Sequence, residues 1–286
     1  PGRVYVSGRL SDLLMWVDMD TGESLQAQLD FHWPVVPTVA DGELWVLDQL
    51  DATLHTLDLD TLETTASHDL GLSTNISLTL SDMALHPGRG TLLITHGWDN
   101  ELVEVDPADG SVVGRWALGG EVLDKDESGR LEVLVGPSEV LTIRSVDGQI
   151  TRIDLDSEGA LDTAAPVADL IPQQTRLQYA ALSEDGTLLY VGPYAIDAQT
   201  LQRQEAQDRS WTFAAVQTEG VWIAWRADDV SILTVDDGGA ITSVLPTEIV
   251  AGAQAPEFHY VPDWDRRLLF TDLRRAGILS WPMKLE

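Results

Sequence analysis

Residues Ala84–Val113 read ALHPGRGTLLITHGWDNELVEVDPADGSVV. The run TLLITH has the β-branched and apolar make-up of a buried strand, and Val105-Asp106 closes a second such run. Between and around them stand HPGRGT, HGWDN and ADGS, all rich in turn residues. Asp stops a strand by bonding nearby backbone N–H groups, and Gly permits the positive φ that reverses the chain. A short run upstream, DMAL, supplies a further strand.

The unit recurs. An apolar residue followed by Asp ends a strand-like run at Val17-Asp18, Leu57-Asp58, Val105-Asp106, Ile153-Asp154, Ile196-Asp197 and Val235-Asp236. Successive Asp residues lie 40, 48, 48, 43 and 39 positions apart, and a seventh unit ends at Trp281-Pro282, with Pro in the place of Asp. A strand precedes each pair: RVYVSG, ELWVLD, TLLITH, EVLTIRS, TLLYVG, VWIAW and LLFTD. About four strands in 40 to 50 residues, with no amphipathic helix between, is the period of a propeller blade. The reading is an all-β, seven-bladed β-propeller in a single domain, 1–286, with repeats near 1–30, 35–70, 80–118, 130–166, 177–206, 211–246 and 256–286. The first unit starts at its second strand and the seventh stops at its third.

Pro87-Gly88, Leu93-Ile94-Thr95-His96, Asn100 and Val105-Asp106 resemble the YVTN-type bacterial propeller repeat, and ALSEDGTLLYVGPYAIDAQT matches it with a shortened loop. The resemblance implies a propeller fold. It points to no single activity, since such repeats occur in lactonases, quinoprotein dehydrogenase subunits, surface-layer proteins and binding modules.

Composition narrows the function. With 44% hydrophobic residues the 286-residue chain can bury a sizeable core. No apolar run is long enough to span a membrane as a helix. The chain has no cysteine, which excludes disulfides, thiolate catalysis and Cys-ligated metal. A formal charge of −30, with Lys125 and Lys284 as its lysines, argues against nucleic-acid binding. The expected setting is periplasmic or extracellular, and the expected state a monomer.

A propeller binds where two sets of loops meet: those joining one blade to the next, and those joining second to third strands. The first set falls near 30–34, 72–80, 119–129, 170–177, 206–211 and 247–257. The second falls near 8–12, 48–52, 96–100, 146–149, 192–195, 225–229 and 272–276. His32, Trp33, His96, Trp98, Trp225, Arg226 and His259 lie in or beside these loops and form the expected ligand-binding set, since indole and imidazole stack on and hydrogen-bond to organic ligands. Arg209, Trp211, Arg274 and Arg275 lie there too. Trp16, Trp45, Trp116 and Trp222 fit core strand positions, His86 a turn, and His55 and His68 solvent-facing strand positions.

No cofactor is expected. His32, His96 and His259 are the candidate ligands for a transition metal, though no H-E-x-x-H spacing supports them. Calcium is the other candidate, without any EF-hand loop. No G-x-S-x-G elbow, P-loop or dinucleotide fingerprint is present. The leading expectation is therefore a non-catalytic binding or scaffold propeller that recognises a small molecule or a protein. The alternatives are a metal-dependent lactonase-like enzyme drawing on Asp48, Asp99, Asn100 and Glu121, and a partner subunit of a periplasmic redox protein.

Overall fold

The computed structural model describes residues 3–8, 11–18, 21–74, 81–118, 131–137, 140–144, 148–156, 161–163, 180–183, 185–191 and 194–204. Beyond these it describes the backbone of 213–218, 221–226, 231–236, 241–246, 256–261, 267–272 and 275–282. At 161–163, 181 and from 213 onward only the backbone is described. The described residues hold no helix and form seven antiparallel sheets.

The chain divides into two compact units. The first carries four sheets. They are β1 (Arg3–Gly8), β2 (Leu13–Asp18) and β3 (Ser24–Gln28); β4 (Pro34–Ala40), β5 (Glu43–Asp48), β6 (Thr53–Leu57) and β7 (Thr64–Asp69); β8 (Met83–His86), β9 (Thr91–His96), β10 (Glu101–Asp106) and β11 (Ser111–Ala117); and β12 (Leu131–Val135), β13 (Val140–Arg144), β14 (Gln149–Ile153) and β15 (Leu161–Thr163). The second carries β16 (Ala180–Leu182), β17 (Leu188–Val191) and β18 (Tyr194–Asp197); β19 (Phe213–Thr218), β20 (Val221–Arg226), β21 (Ser231–Asp236) and β22 (Ile241–Pro246); and β23 (Pro256–Val261), β24 (Arg267–Asp272) and β25 (Arg275–Pro282). Each sheet is a meander, its strands paired in sequence order. In the first unit β1, β4, β8 and β12 neighbour one another in turn; in the second β16, β19 and β23 do so.

The recurrent Asp has one structural job. Asp18, Asp106, Asp197 and Asp236 are the last residues of β2, β10, β18 and β21, while Asp58 and Asp154 directly follow β6 and β14. Asp58 Oδ1 accepts hydrogen bonds from Asp60 N at 2.9 Å and Thr61 N at 2.8 Å. Asp18 takes Thr21 N at 2.9 Å, Asp106 takes Ala108 N at 2.9 Å, Asp154 takes Asp156 N at 3.0 Å, and Asp197 takes Thr200 N at 2.8 Å. Four residues past Asp18, Asp58, Asp106 and Asp197 the backbone turns to positive φ: 76° at Gly22, 59° at Leu62, 72° at Gly110 and 53° at Leu201. The N–H of each bonds to the carbonyl of its Asp at 2.8 to 3.0 Å. A bulge at the same point of the hairpin, Thr56/Leu57, Glu104/Val105 and Thr234/Val235, twists the outer strand away.

Strands β5, β9, β10 and β13 are buried on both faces, which is why they read as mainly apolar runs, whereas the outer strands β3, β7 and β11 expose most of their residues. Leu44 and Val46 of β5 pack on Leu14, Trp16 and Phe31 beside the first sheet. Trp45 and Leu47 face the other way, onto Met83, Leu92 and Ile94. Leu93, Leu102 and Trp116 then pack on Leu131, Val133 and Val140. Trp16, Trp45 and Trp116 are core residues as expected, and the buried indoles of Trp16 and Trp45 donate to Asp60 O and Ala40 O. The side chain of Trp222 lies outside the described residues. His86 does serve its turn, accepting Gly90 N at 2.8 Å through its carbonyl. His55 departs from expectation. It is buried, stacked on Phe31 with ring centroids 3.9 Å apart, and its Nδ1 lies 2.8 Å from Ser67 Oγ. His68 is half-buried and tilted against Trp45. The inter-sheet linker that carries Phe31 folds over β6, and a strand's own pattern does not announce such a cover.

Candidate functional site

The second-to-third strand loops of the first unit share one build. Each enters the third strand through a residue with positive φ: Asp12 at 51°, Ala52 at 53°, Asn100 at 54° and Gly148 at 71°. Each leaves the second strand from its last residue: Gly8, Asp48, His96 and Arg144. Asp48, His96 and Arg144 are all buried, at 2%, 0% and 4% exposure.

At the first of these loops the linker residues His32 and Trp33 are clamped by carboxylates. His32 N donates to Asp48 Oδ2 at 3.1 Å, and its ring Nδ1 lies 3.0 Å from Asp12 Oδ2. Trp33 N donates to Asp12 Oδ1 at 3.1 Å, and Trp33 O accepts Gln49 N at 3.2 Å. Asp48 Oδ1 meanwhile caps its own loop, taking Leu50 N and Asp51 N at 2.9 and 3.1 Å. The result is an elbow with φ of 52° at Trp33, an unfavoured value for a bulky residue that the surrounding bonds hold in place. The His32 ring stands exposed at its tip. Its hydrogen bond to Asp12 raises its pKa above the ordinary histidine value.

His96 belongs to the next loop. Its Nδ1 lies 3.3 Å from Asp99 N and 3.2 Å from Asp99 Oδ2, and Asp99 Oδ2 takes Ser73 N of the neighbouring linker at 2.7 Å. Among the described residues its Nε2 has no hydrogen-bond partner. Burial holds its pKa below the ordinary value, against the pull of Asp99. Trp98 is half-buried within the loop. His32-Trp33 thus lies in the linker between β3 and β4 and His96-Trp98 at the loop between β9 and β10, one imidazole exposed and one sealed.

Of the other expected site residues, Trp225 and Arg226 end β20, where Trp225 pairs with Phe213 and Ile232 and Arg226 with Ser231. Arg226 thus holds the repeat position of Asp48, His96 and Arg144. His259 lies in the middle of β23, opposite Leu269. The side chains of these three, together with Arg209, Trp211, Arg274 and Glu121, lie outside the described residues. Among the described residues no group of three or more His, Asp or Glu is arranged to hold a metal.

One group was not anticipated from sequence. Asn100, Leu118, Leu131, Thr142, Arg144, Gln149 and Thr151 line a narrow crevice between the third and fourth sheets, too tight to admit a water molecule. Arg144 Nη2 donates to Gln149 Oε1 at 2.7 Å, and Thr151 Oγ1 to Leu118 O at 3.3 Å. Its signal in the sequence is an arginine, in a strongly acidic chain, at a position where earlier repeats place Asp and His.

No known protein family matches the sequence, and neither does any curated protein. Solved structures do. BamB from Moraxella catarrhalis aligns at TM-score 0.59 and 15% identity, over 96% of this chain and 78% of its own. Catalytically inactive virginiamycin B lyase from Staphylococcus aureus, solved with quinupristin, aligns at 0.68 and 12%, over 94% and 88%. A chain of the mitotic checkpoint complex aligns at 0.69 and 11%, over 98% and 84%. At such identities the likeness shows the fold: this chain is a β-propeller.

Proposed function

We propose that the chain is a seven-bladed YVTN-type propeller, a single domain over 1–286, that acts outside the cytoplasm as a non-catalytic binding or scaffold protein. Its ligand, a protein partner in the leading case and a small molecule otherwise, is read as contacting His32, Trp33, His96 and Trp98 in the first unit, with Trp225, Arg226 and His259 as the candidate contacts in the second. The observation that carries this reading is the His32-Trp33 elbow. Its backbone is bound through Asp12, Asp48 and Gln49 while its imidazole stays exposed, so little entropy is lost when a ligand meets it. The likeness to BamB and to a checkpoint-complex propeller supports a protein partner. The test is capture from an extract of the native host, with wild-type chain and with the Trp98→Ala, Trp225→Ala variant as baits. The variant keeps its thermal melt and loses the captured protein. Equal capture by both baits refutes the assignment of these contacts.

The Asp12–His32 pair and the likeness to a streptogramin B lyase favour the second reading, an enzyme. A carboxylate fixing one imidazole nitrogen leaves the other as a base or metal ligand. Elemental analysis separates the two: stoichiometric metal, with a lower melting temperature in EDTA, supports the enzyme.

A further inference from the structure

The strands that end at Asp48, His96 and Arg144 are each paired on both sides: β5 lies between β4 and β6, β9 between β8 and β10, and β13 between β12 and β14. β1 ends at the equivalent Gly8 but pairs with β2 alone among the described strands. Its alternate N–H and C=O groups therefore point along the sheet to an open edge. Burial registers the difference. Five of six residues are buried in β5 and in β9, and all five in β13, whereas all six of β1 are half-buried.

Exposed sheet edges are ordinarily blunted by charge, proline or a bulge. The outer edges of this unit follow that rule: β7 and β11 pair through bulges, and β3 exposes Ser24, Gln26 and Gln28. β1 does not follow it. Val4, Tyr5 and Val6 form its middle, and its six pairs with β2 run without a bulge. Its one charge, Arg3, is bonded to Leu59 O and to Asp60, and lies over the Trp16 ring. An edge left apolar and regular is fit to take a further strand.

The sister sheets show what fits there. β4, β8 and β12 are seven, four and five residues long, and each runs antiparallel to the strand it covers. Met83 stands opposite Ile94 and Val133 opposite Thr142, in each case two residues before the end of the covered strand, and both are buried. The β1 residue at that position is Val6. The net charge of −30 opposes a second copy of this chain as the occupant and favours a strand with basic flanks.

We propose that the open edge of β1 is a strand-acceptor site, and that its occupant is an extended segment of a partner protein. The segment runs antiparallel to β1, places an apolar side chain opposite Val6 and carries basic residues at its ends. This site is separate from the loop contacts proposed above and does not depend on them.

The test adds to the full chain a peptide with the sequence of residues 130–136, RLEVLVG, flanked by two lysines at each end. The controls are the same peptide with Val133→Pro, and one flanked by glutamates. Affinity is read by calorimetry, and the edge by amide hydrogen exchange across Arg3–Gly8. The basic peptide binds with a Kd on the order of 10 to 100 μM. It slows exchange by about tenfold or more at the alternate β1 amides that face away from β2. The proline peptide does neither, because it lacks a ladder donor, and the acidic peptide binds about tenfold more weakly. The substitutions lie in the peptides, so no result turns on misfolding of the chain. Equal binding by the proline or the acidic peptide overturns the proposal. So does protection of those amides in the free chain, or dimerisation of the chain through β1. The Trp98→Ala, Trp225→Ala chain binds the basic peptide as the wild type does, so this reading and partner capture can fail separately.

Discussion

His55 and His96 are buried imidazoles whose Nε2 atoms find no partner among the described residues, and burial lowers both pKa values below 6.5. Asp48, Asp30 and Asp51 pull the first upward and His68 opposes them; Asp99 pulls the second upward and Arg115 opposes it. Below pH 6.5 the unfolded chain takes up protons at these two positions that the folded chain refuses until its own lower pKa values are reached. Stability therefore falls as pH drops from 6.5, by about 1.4 kcal/mol for each unit of separation at each site. His32 works in the opposite sense. Its raised pKa adds stability that is present below 6.5 and fades as pH rises through the folded value. Urea unfolding at pH 7.5 and 5.5 measures the balance. The wild-type chain loses stability at the lower pH, and His55→Gln with His96→Asn reduces that loss, the asparagine oxygen taking the N–H of Asp99 as Asp48 takes that of Asp51. An unchanged pH slope in the double variant would mean that the rings already accept protons in the fold.

At the scale of the element, the hairpin from third to fourth strand is a fixed corner built on Asp, closed four residues later by positive φ. Gly22 and Gly110 hold equivalent places in it but meet different surroundings. A Cβ at Gly22 would have nothing within 4 Å, whereas at Gly110 it would overlap the ring of His68, which leans on Trp45. Gly22→Ala is expected to cost about 1 kcal/mol, the left-handed strain alone. Gly110→Ala is expected to cost at least twice that and to perturb Trp45 fluorescence, because His68 must leave its place. Equal losses would show that His68 yields freely. The corner itself was legible from sequence, since Asp-then-Gly strings with β-branched runs before them reflect local backbone chemistry. The burial of His55 was not, because Phe31 reaches it from a linker more than twenty residues away in sequence.

Across the whole molecule, the spacing of the Asp corners set the repeat, and the strand pairings follow it through all seven sheets. The site was legible only in part. His32 and Trp33 stood out as rare residue types in a linker, but the two carboxylates that clamp them lie in other loops and become evident only once the sheets are packed. Arg144 was passed over because its meaning depends on comparison with Asp48 and His96 at the same repeat position. Charge is the remaining property of the whole. Asp and Glu number 47 against 17 Lys and Arg, so compaction gathers like charges. The fold meets part of this cost by turning carboxylates onto its own N–H groups at the corners, and the Asp58 pKa is lowered chiefly by the N–H groups of Thr61 and Asp60. Those bonds are short-ranged and local, whereas the repulsion between exposed corners acts over about 8 to 10 Å and is screened by ordinary salt. The melting temperature is therefore expected to rise as sodium chloride increases from 10 to 500 mM, by several degrees at about 2 to 4 °C per kcal/mol. Half of that rise should appear by about 100 mM, where the Debye length falls to about 10 Å. A melting temperature indifferent to salt would place the carboxylates too far apart, or too well bonded, for their mutual repulsion to load the fold.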